Sequence, residues 1–293
     1  MVSREKQVGN CYESVNYLAE RTLFFLLNPS ATDKTAEGQG PRVRSKEHFM
    51  SCFTIRPVGD SALSVEFENI VSREINARVT ALAARLETLG ISGLGELVPS
   101  YRALLVHYDP LRLDPEDLNR ILSEAATLPG ATREKTGTVV ELPVLYEGEF
   151  APDLEEVARF ENKTPEEIIR IHSGSDYYVY MLGFAPGHPY AARFENPFSI
   201  LRRSSPRVRV PAGSIGIQRD MSDIIPFEMP TGWNIIGITP VLACDYRKDP
   251  PFLLKAGDWI RHVPIDRSQF REIRRQAELG EYVCRRRERG AAG

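Results

Sequence analysis

The stretch Pro206-Arg-Val-Arg-Val-Pro-Ala-Gly-Ser-Ile-Gly-Ile217 reads as strand, turn and strand. Arg207 and Arg209 alternate with Val208 and Val210, so on a strand both guanidinium groups leave the same face. Pro211-Ala-Gly-Ser214 then turns the chain, with Gly213 and Gly216 allowing close backbone approach. The same texture runs from Tyr177 to Ile265, as short β-prone segments punctuated by Gly and Pro. Such regular turn spacing predicts a barrel or sandwich.

Working back from this region, Thr138–Tyr146 reads as a further strand. Two short helices follow it, the second opened by Thr164-Pro-Glu-Glu167, a capping box with Pro at its first helical position. Residues 51–136 have a different pattern. Phe53–Pro57 and Ser64–Phe67 alternate like strands around the turn Gly59-Asp60. Ser72 starts a helix with Ile75, Val79, Leu82, Leu86 and Leu89 on one face, stopped by Gly90. Strand-like runs at Glu96–Val98 and Ala103–Tyr108 precede a second helix, capped by Asp114 with Pro115 at its first position. The fold class expected is therefore α+β. A small α/β layer domain over 51–136 precedes a β-rich domain over 137–269.

Residues 1–50 carry a polar Gly-, Pro- and Thr-rich run, Asn28–Pro41, and read as a disordered extension. Residues 270–293, with Arg285-Arg-Arg-Glu-Arg289, read as a basic, solvated tail. The formal net charge of -3 offers no global basic field for nucleic acid. Leu23–Leu27 is too short to span a bilayer, so no membrane partner is expected. Cys11, Cys52, Cys244 and Cys284 include no C-x-x-C pair, consistent with reduced thiols in the cytoplasm.

The chemistry-bearing groups leave two readings open. Arg207, Arg209 and the turn at Gly213 either line a pocket for a carboxylate or phosphate, or form a solvated strand and tight turn; residue types alone lean to the second. Trp233 in Pro230–Pro240 is either a ligand wall or core, and a strand Trp is more often core. His172 sits at the end of the Thr164 helix, where the dipole would favour a cationic ring. His48, His107 and His262 lack acidic or cysteine neighbours at ligand spacing, so no metal site is expected. No Walker A, G-x-S-x-G or G-x-G-x-x-G motif occurs, and no complete active site is visible.

Four segments together resemble the B-subunit family of bacterial 5-oxoprolinase: Gly183-Phe-Ala-Pro-Gly-His-Pro-Tyr190, Pro206–Ile217, Gly232–Pro240 and Asp249–Asp258. The family is also labelled allophanate hydrolase subunit 1 or Kip-type kinase inhibitor, and the resemblance runs from Phe53 to Phe270. It implies a cyclophilin-like β-barrel for the second domain. It also implies a homologous C-type subunit and a third hydrolase subunit, which together open 5-oxoproline to glutamate with ATP. A fused pair of the B and C types forms the carboxyltransferase part of urea carboxylase, and some members inhibit a sensor histidine kinase instead. By resemblance, Arg207, Arg209, Pro211, Gly213, Ser214 and His172 match binding positions. Gly183, Phe184, Pro186, Gly187 and Pro189 match the glycine-proline loop, with Trp233 near it.

The chain also departs from the family pattern. Met221-Ser-Asp-Ile-Ile-Pro226 stands where the family reads Q-T-G-I-Y-P, and Ile238 stands where an Arg is customary. Replacing an amide, a phenol and a guanidinium by Met221, Ile225 and Ile238 predicts an altered or weakened polar rim. His188 stands where the family usually has Phe, so it is expected to fill space on a Pro-fixed turn without carrying chemistry.

Overall fold

The computed structural model describes residues 53–128, 137–193 and 197–289. The chain divides into two compact units, the first stretch falling in one and the other two in the second. The expected extension over residues 1–50 lies outside the described residues.

In the smaller unit, β1 (Thr54–Pro57), β2 (Ala62–Glu66), β3 (Leu94–Pro99) and β4 (Ala103–Tyr108) form an antiparallel sheet in the order β1-β2-β4-β3. Helix α1 (Arg73–Leu89) starts where Ser72 Oγ accepts the Ile75 N–H at 3.1 Å. It ends at Gly90 in the left-handed conformation. Helix α2 (Pro115–Thr127) is capped by Asp114, which accepts the Glu116 N–H. Val79, Leu82, Leu86, Leu118 and Leu122 pack on Val65, Leu104 and Val106 of the sheet, all fully buried. The 3.6-residue spacing of the helices and the two-residue alternation of the strands thus meet in one core.

The larger unit contains β5 (Thr138–Val144), α3 (Leu154–Phe160), α4 (Pro165–Ser173), β6 (Asp176–Leu182), β7 (Pro189–Ala192), β8 (Arg207–Val210), β9 (Ser214–Gln218), β10 (Met221–Ile224), β11 (Met229–Thr231), β12 (Asn234–Ile238), β13 (Trp259–Pro264), α5 (Arg267–Glu278) and β14 (Arg286–Glu288). Eight strands form one sheet in the order β12-β9-β10-β7-β6-β13-β5-β14, with only β13 and β5 parallel. An isolated bridge links the edge strand β12 to the residue following β5, with Leu145 and Ile238 exchanging N–H···O bonds of 2.8 and 2.9 Å. Among the described residues the ladder does not close into a barrel, and β8 leaves the sheet to pair with β11 alone.

The basic segment is exposed, as its composition suggests, but it is ordered as an edge strand and not a loose tail. Helix α5 opens on a capping box of Asp266 and Gln269. Beyond it, β14 adds to the edge of β5, with Arg286 opposite Val140. Arg285 and Arg287 face Glu141 at 3.7 and 3.6 Å, and Arg289 lies over the Trp259 ring. No helix among the described residues is long and apolar enough to cross a membrane.

His172 belongs to a buried polar cluster. This ring is fully buried, with Nδ1 2.7 Å from Tyr146 Oη and Nε2 2.9 Å from Ser222 Oγ. His262 stacks against it at 4.1 Å between centroids. Burial, then the His262 and Arg193 charges, hold His172 well below the usual imidazole range. Burial, then Arg261, bring His262 down to about 3. The expected cation at the helix terminus is therefore a neutral core ring, because the desolvation that comes with complete burial outweighs a helix-end charge effect.

Both histidines are protonated more readily in the unfolded chain, whose imidazoles titrate near 6.5. Stability is thus fully present above about pH 6.5 and declines as pH falls toward the folded values. The urea midpoint of the wild type is expected to drop between pH 7 and 5. A His262→Leu variant should show a shallower drop, and equal slopes would contradict the assignment.

Candidate functional site

The register of β9 and β10 sets two different polar groups on opposite sheet faces. Ser222 pairs with Ile217 and Ile224 with Ile215, so these side chains point into the main core. Asp223 pairs with Gly216 and turns the other way. On that second face, Ile225 packs with Val210, Trp233 and Ile235, with Met221 against them. Trp233 is thus core, and a Cβ at Gly216 would come within 2.7 Å of the Trp233 Cβ.

Asp223 is 1% exposed and His188 is 3% exposed. Their Nε2 and Oδ1 atoms lie 2.5 Å apart, yet the alignment falls short of a hydrogen bond. The His188 ring stacks on Tyr190 at 5.1 Å and meets Phe184 edge-on at 5.7 Å. Burial, then the Asp223 carboxylate, push the Tyr190 phenol up, with Arg202 opposing them.

The glycine-proline loop builds this arrangement. Ala185 N–H bonds the Gly183 carbonyl, His188 N–H the Ala185 carbonyl, and Gly183 N–H the His188 carbonyl. Phe184 is held at φ 68°, a region a bulky side chain seldom adopts. Gly187, at φ 76°, packs where a Cβ would lie 2.8 Å from the Ala243 carbonyl oxygen. Pro186 and Pro189 restrict the chain on either side of His188.

The two arginines of the opening motif do not converge. Arg207 grips Asp153 with Nη1–Oδ2 2.6 Å and Nη2–Oδ1 2.5 Å. Asp153 also accepts from Arg203 at 2.8 Å and from the Ile235 N–H at 2.7 Å. Arg209 pairs with Glu228 through Nε at 3.0 Å and is 76% exposed. Val208 lies exposed beside it. The alternation that put both guanidinium groups together holds for an ideal strand, but β8 belongs to a short two-stranded ribbon with a register shift.

The turn after β8 has no spare donors in its best-placed backbone groups. Gly213 N–H bonds the Ile225 carbonyl at 2.7 Å, and Ser214 N–H the Pro211 carbonyl at 3.2 Å. Ser214 is buried and Pro211 is exposed at the turn. His172 lies on the core side and is not brought to this face. The substituted positions do not share one rim either. Ile225 is buried with Trp233, whereas Ile238 packs with Leu145 and Phe270. Among the described residues, no group of three or more His, Cys, Asp or Glu side chains could hold a metal ion.

Residues 53–254 match the carboxyltransferase domain, subdomain C and D. The chain belongs to this family. It is 36% identical over 239 residues to the 5-oxoprolinase B subunit of Bacillus subtilis, covering 77% of this chain and 98% of that one. The 5-oxoprolinase B subunit of Escherichia coli O157:H7 is 34% identical, over 71% of this chain and 94% of its own length. Among solved structures, TTHA0988 shares 35% identity at a TM-score of 0.62, over 73% of this chain and 40% of that one. Kluyveromyces lactis urea carboxylase shares the fold at a TM-score of 0.68 and 18% identity, over 80% of this chain and 24% of its own.

Two departures from the family pattern meet in the structure. Asp223 lies in the Met221–Pro226 segment and His188 in the loop, and they touch. The signal in the sequence is the appearance of two polar residues at motif positions usually filled by Gly and Phe.

The turn into β9 makes a direct test of this geometry. Gly213 sits at φ 85°, and a Cβ there would run into the Thr239 carbonyl. Gly213→Ala is expected to cost more than about 1 kcal/mol, because strain at positive φ adds to the clash. Urea unfolding would show it as a lowered midpoint, and an unchanged midpoint would contradict the turn described.

Proposed function

We propose that the chain is the B-type subunit of a cytoplasmic, ATP-dependent 5-oxoprolinase-like complex. It would open 5-oxoproline to glutamate together with a homologous C-type subunit and a third hydrolase subunit. The observation that carries this reading is the similarity to the Bacillus subtilis protein across almost the whole of that protein. The match of residues 53–254 to the carboxyltransferase domain, subdomain C and D, supports a carboxyltransferase-like subunit, in which the larger unit would be an open variant of the cyclophilin-like barrel that the resemblance implies.

The site geometry fits a subunit that contributes one wall of a shared site. Opening a lactam requires a polarised carbonyl, a proton acceptor for the attacking group and a proton donor for the departing nitrogen. On this chain the Gly213 and Ser214 amides are already bonded, and Arg207 is committed to Asp153. Arg209 is different, because its pair with Glu228 is exposed and exposed pairs contribute little. In this reading Arg209 can exchange Glu228 for a substrate carboxylate or an acidic group of the C-type subunit. Arg207 keeps β8 in place, and the Gly183–Pro189 loop shapes the wall. ATP supplies the driving force at the level of the complex.

The test is reconstitution. The purified chain with its C-type and third subunits should form glutamate and ADP from 5-oxoproline and ATP, and omission of this chain should abolish the reaction. No turnover with all three folded subunits present would contradict the proposal.

A further inference from the structure

We propose that the cavity between segments 241–253 and 277–286 of the larger unit is a binding site for a small organic carboxylate with a compact apolar body. The inference goes beyond the functional reading above and does not rest on it. Residues 277–286 lie outside the stretch that matches the carboxyltransferase family.

The first observation is the cavity itself. Its volume of about 310 Å³ is at the lower end of the range for small-molecule sites. Val241, Leu242 and Leu253 line one side, and Ala277, Val283 and Cys284 line the other. Hydrogen bonds hold both sides in place without a ligand. Cys244 bridges to Phe252, Asp245 N–H bonds the Pro251 carbonyl at 2.8 Å, and Leu253 N–H the Ala243 carbonyl at 3.0 Å. Arg247 then crosses from this segment to the end of α5, where it donates to the Ala277 carbonyl at 3.1 Å and to the Glu278 carbonyl. The Gln276 carbonyl accepts the N–H groups of Glu281 and Tyr282, which turns the second side back onto its own helix.

The second observation is the charge. The charged lining residues are Asp245, Lys248 and Arg286. Arg247 holds both oxygens of Asp245, Nε to Oδ1 at 2.8 Å and Nη2 to Oδ2 at 2.9 Å, and this pairing brings the carboxyl down to about 2. Arg286 uses Nη2 on the Leu253 carbonyl at 2.6 Å, while its Nη1 stands 3.9 Å from Asp258, outside hydrogen-bond reach. Lys248 Nζ makes no hydrogen bond or ion pair among the described residues. The two cations come from different segments, yet both act on the buried Cys284 thiol. Burial pushes that thiol up to about 11, and Arg286 and Lys248 oppose the rise.

These features select the ligand. Asp245 answers Arg247 and Asp258 answers Arg286, so the charge left over is that of Lys248. One surplus charge suits a carboxylate better than a doubly charged phosphate. The apolar sides favour a carbon body. The C-terminal end of α5 does not oppose an anion, because Arg247 occupies its Ala277 and Glu278 carbonyls. In this site Lys248 and the unused donors of Arg286 hold the carboxylate, and the body lies against Leu253 and Val283.

Isovalerate is the probe, with isovaleramide as its uncharged counterpart. Titrated into the full chain with labelled methyl groups, isovalerate should move the Val241, Leu253 and Val283 resonances in one saturable step, with a Kd of about 1 mM or tighter. The amide should bind on the order of tenfold more weakly, the loss expected for one charge-assisted contact. Isovalerate should weaken by a similar factor on Lys248→Met, whose exposed position leaves the urea midpoint unchanged. Equal affinities for acid and amide, or full affinity in Lys248→Met, would overturn the proposal. So would shifts confined to residues outside the cavity, or a titration that does not saturate.

Discussion

The carboxylate of Asp153 is the constraint on which the larger unit turns. It begins α3, yet its side chain does not cap that helix. Its oxygens take the Ile235 N–H of β12, the Arg203 guanidinium and both arms of Arg207. A carboxylate with 1% exposure would be strongly destabilising without such partners. One buried charge therefore ties the helical layer, the edge of the large sheet and the β8–β11 ribbon together. From β8 the chain enters the Gly213 turn and then β9, whose register with β10 sets Asp223 opposite Gly216. An arginine that looks available for a ligand in the sequence is, in the fold, a strut.

The consequences are concentrated on two neighbouring residues. Ser222 faces inward and joins His172 and His262, where complete burial keeps the rings neutral. Asp223 faces the other way and meets His188 under the loop. The inner cluster links its groups by hydrogen bonds at 2.7 and 2.9 Å. The outer pair is close but unsatisfied.

Local signals are legible in the sequence, and long-range ones are not. Ser72, Asp114 and Thr164 each cap the helix their spacing announces, because capping involves residues only two or three apart. The partner of Arg207 is 54 residues away, so residue types around the strand could not reveal it. The same limit applies to Arg285–Arg289, whose charges are answered by Glu141 and Asp176 on β5 and β6. The spacing places His172 at a helix end, but whether that end meets solvent or core depends on the sheet above it. For His188 the local turn is legible while Asp223 is not, since only the β7–β10 pairing brings them together.

A double-mutant cycle between Asp153 and Arg207, read by urea unfolding of Asp153→Ala, Arg207→Ala and the double variant, tests most directly whether Arg207 serves the fold. The account predicts a coupling energy on the order of 2 kcal/mol, because each single change strands a charge that the other group had neutralised. Additive effects, with coupling below about 0.5 kcal/mol, would contradict it and return Arg207 to the pool of ligand-binding arginines.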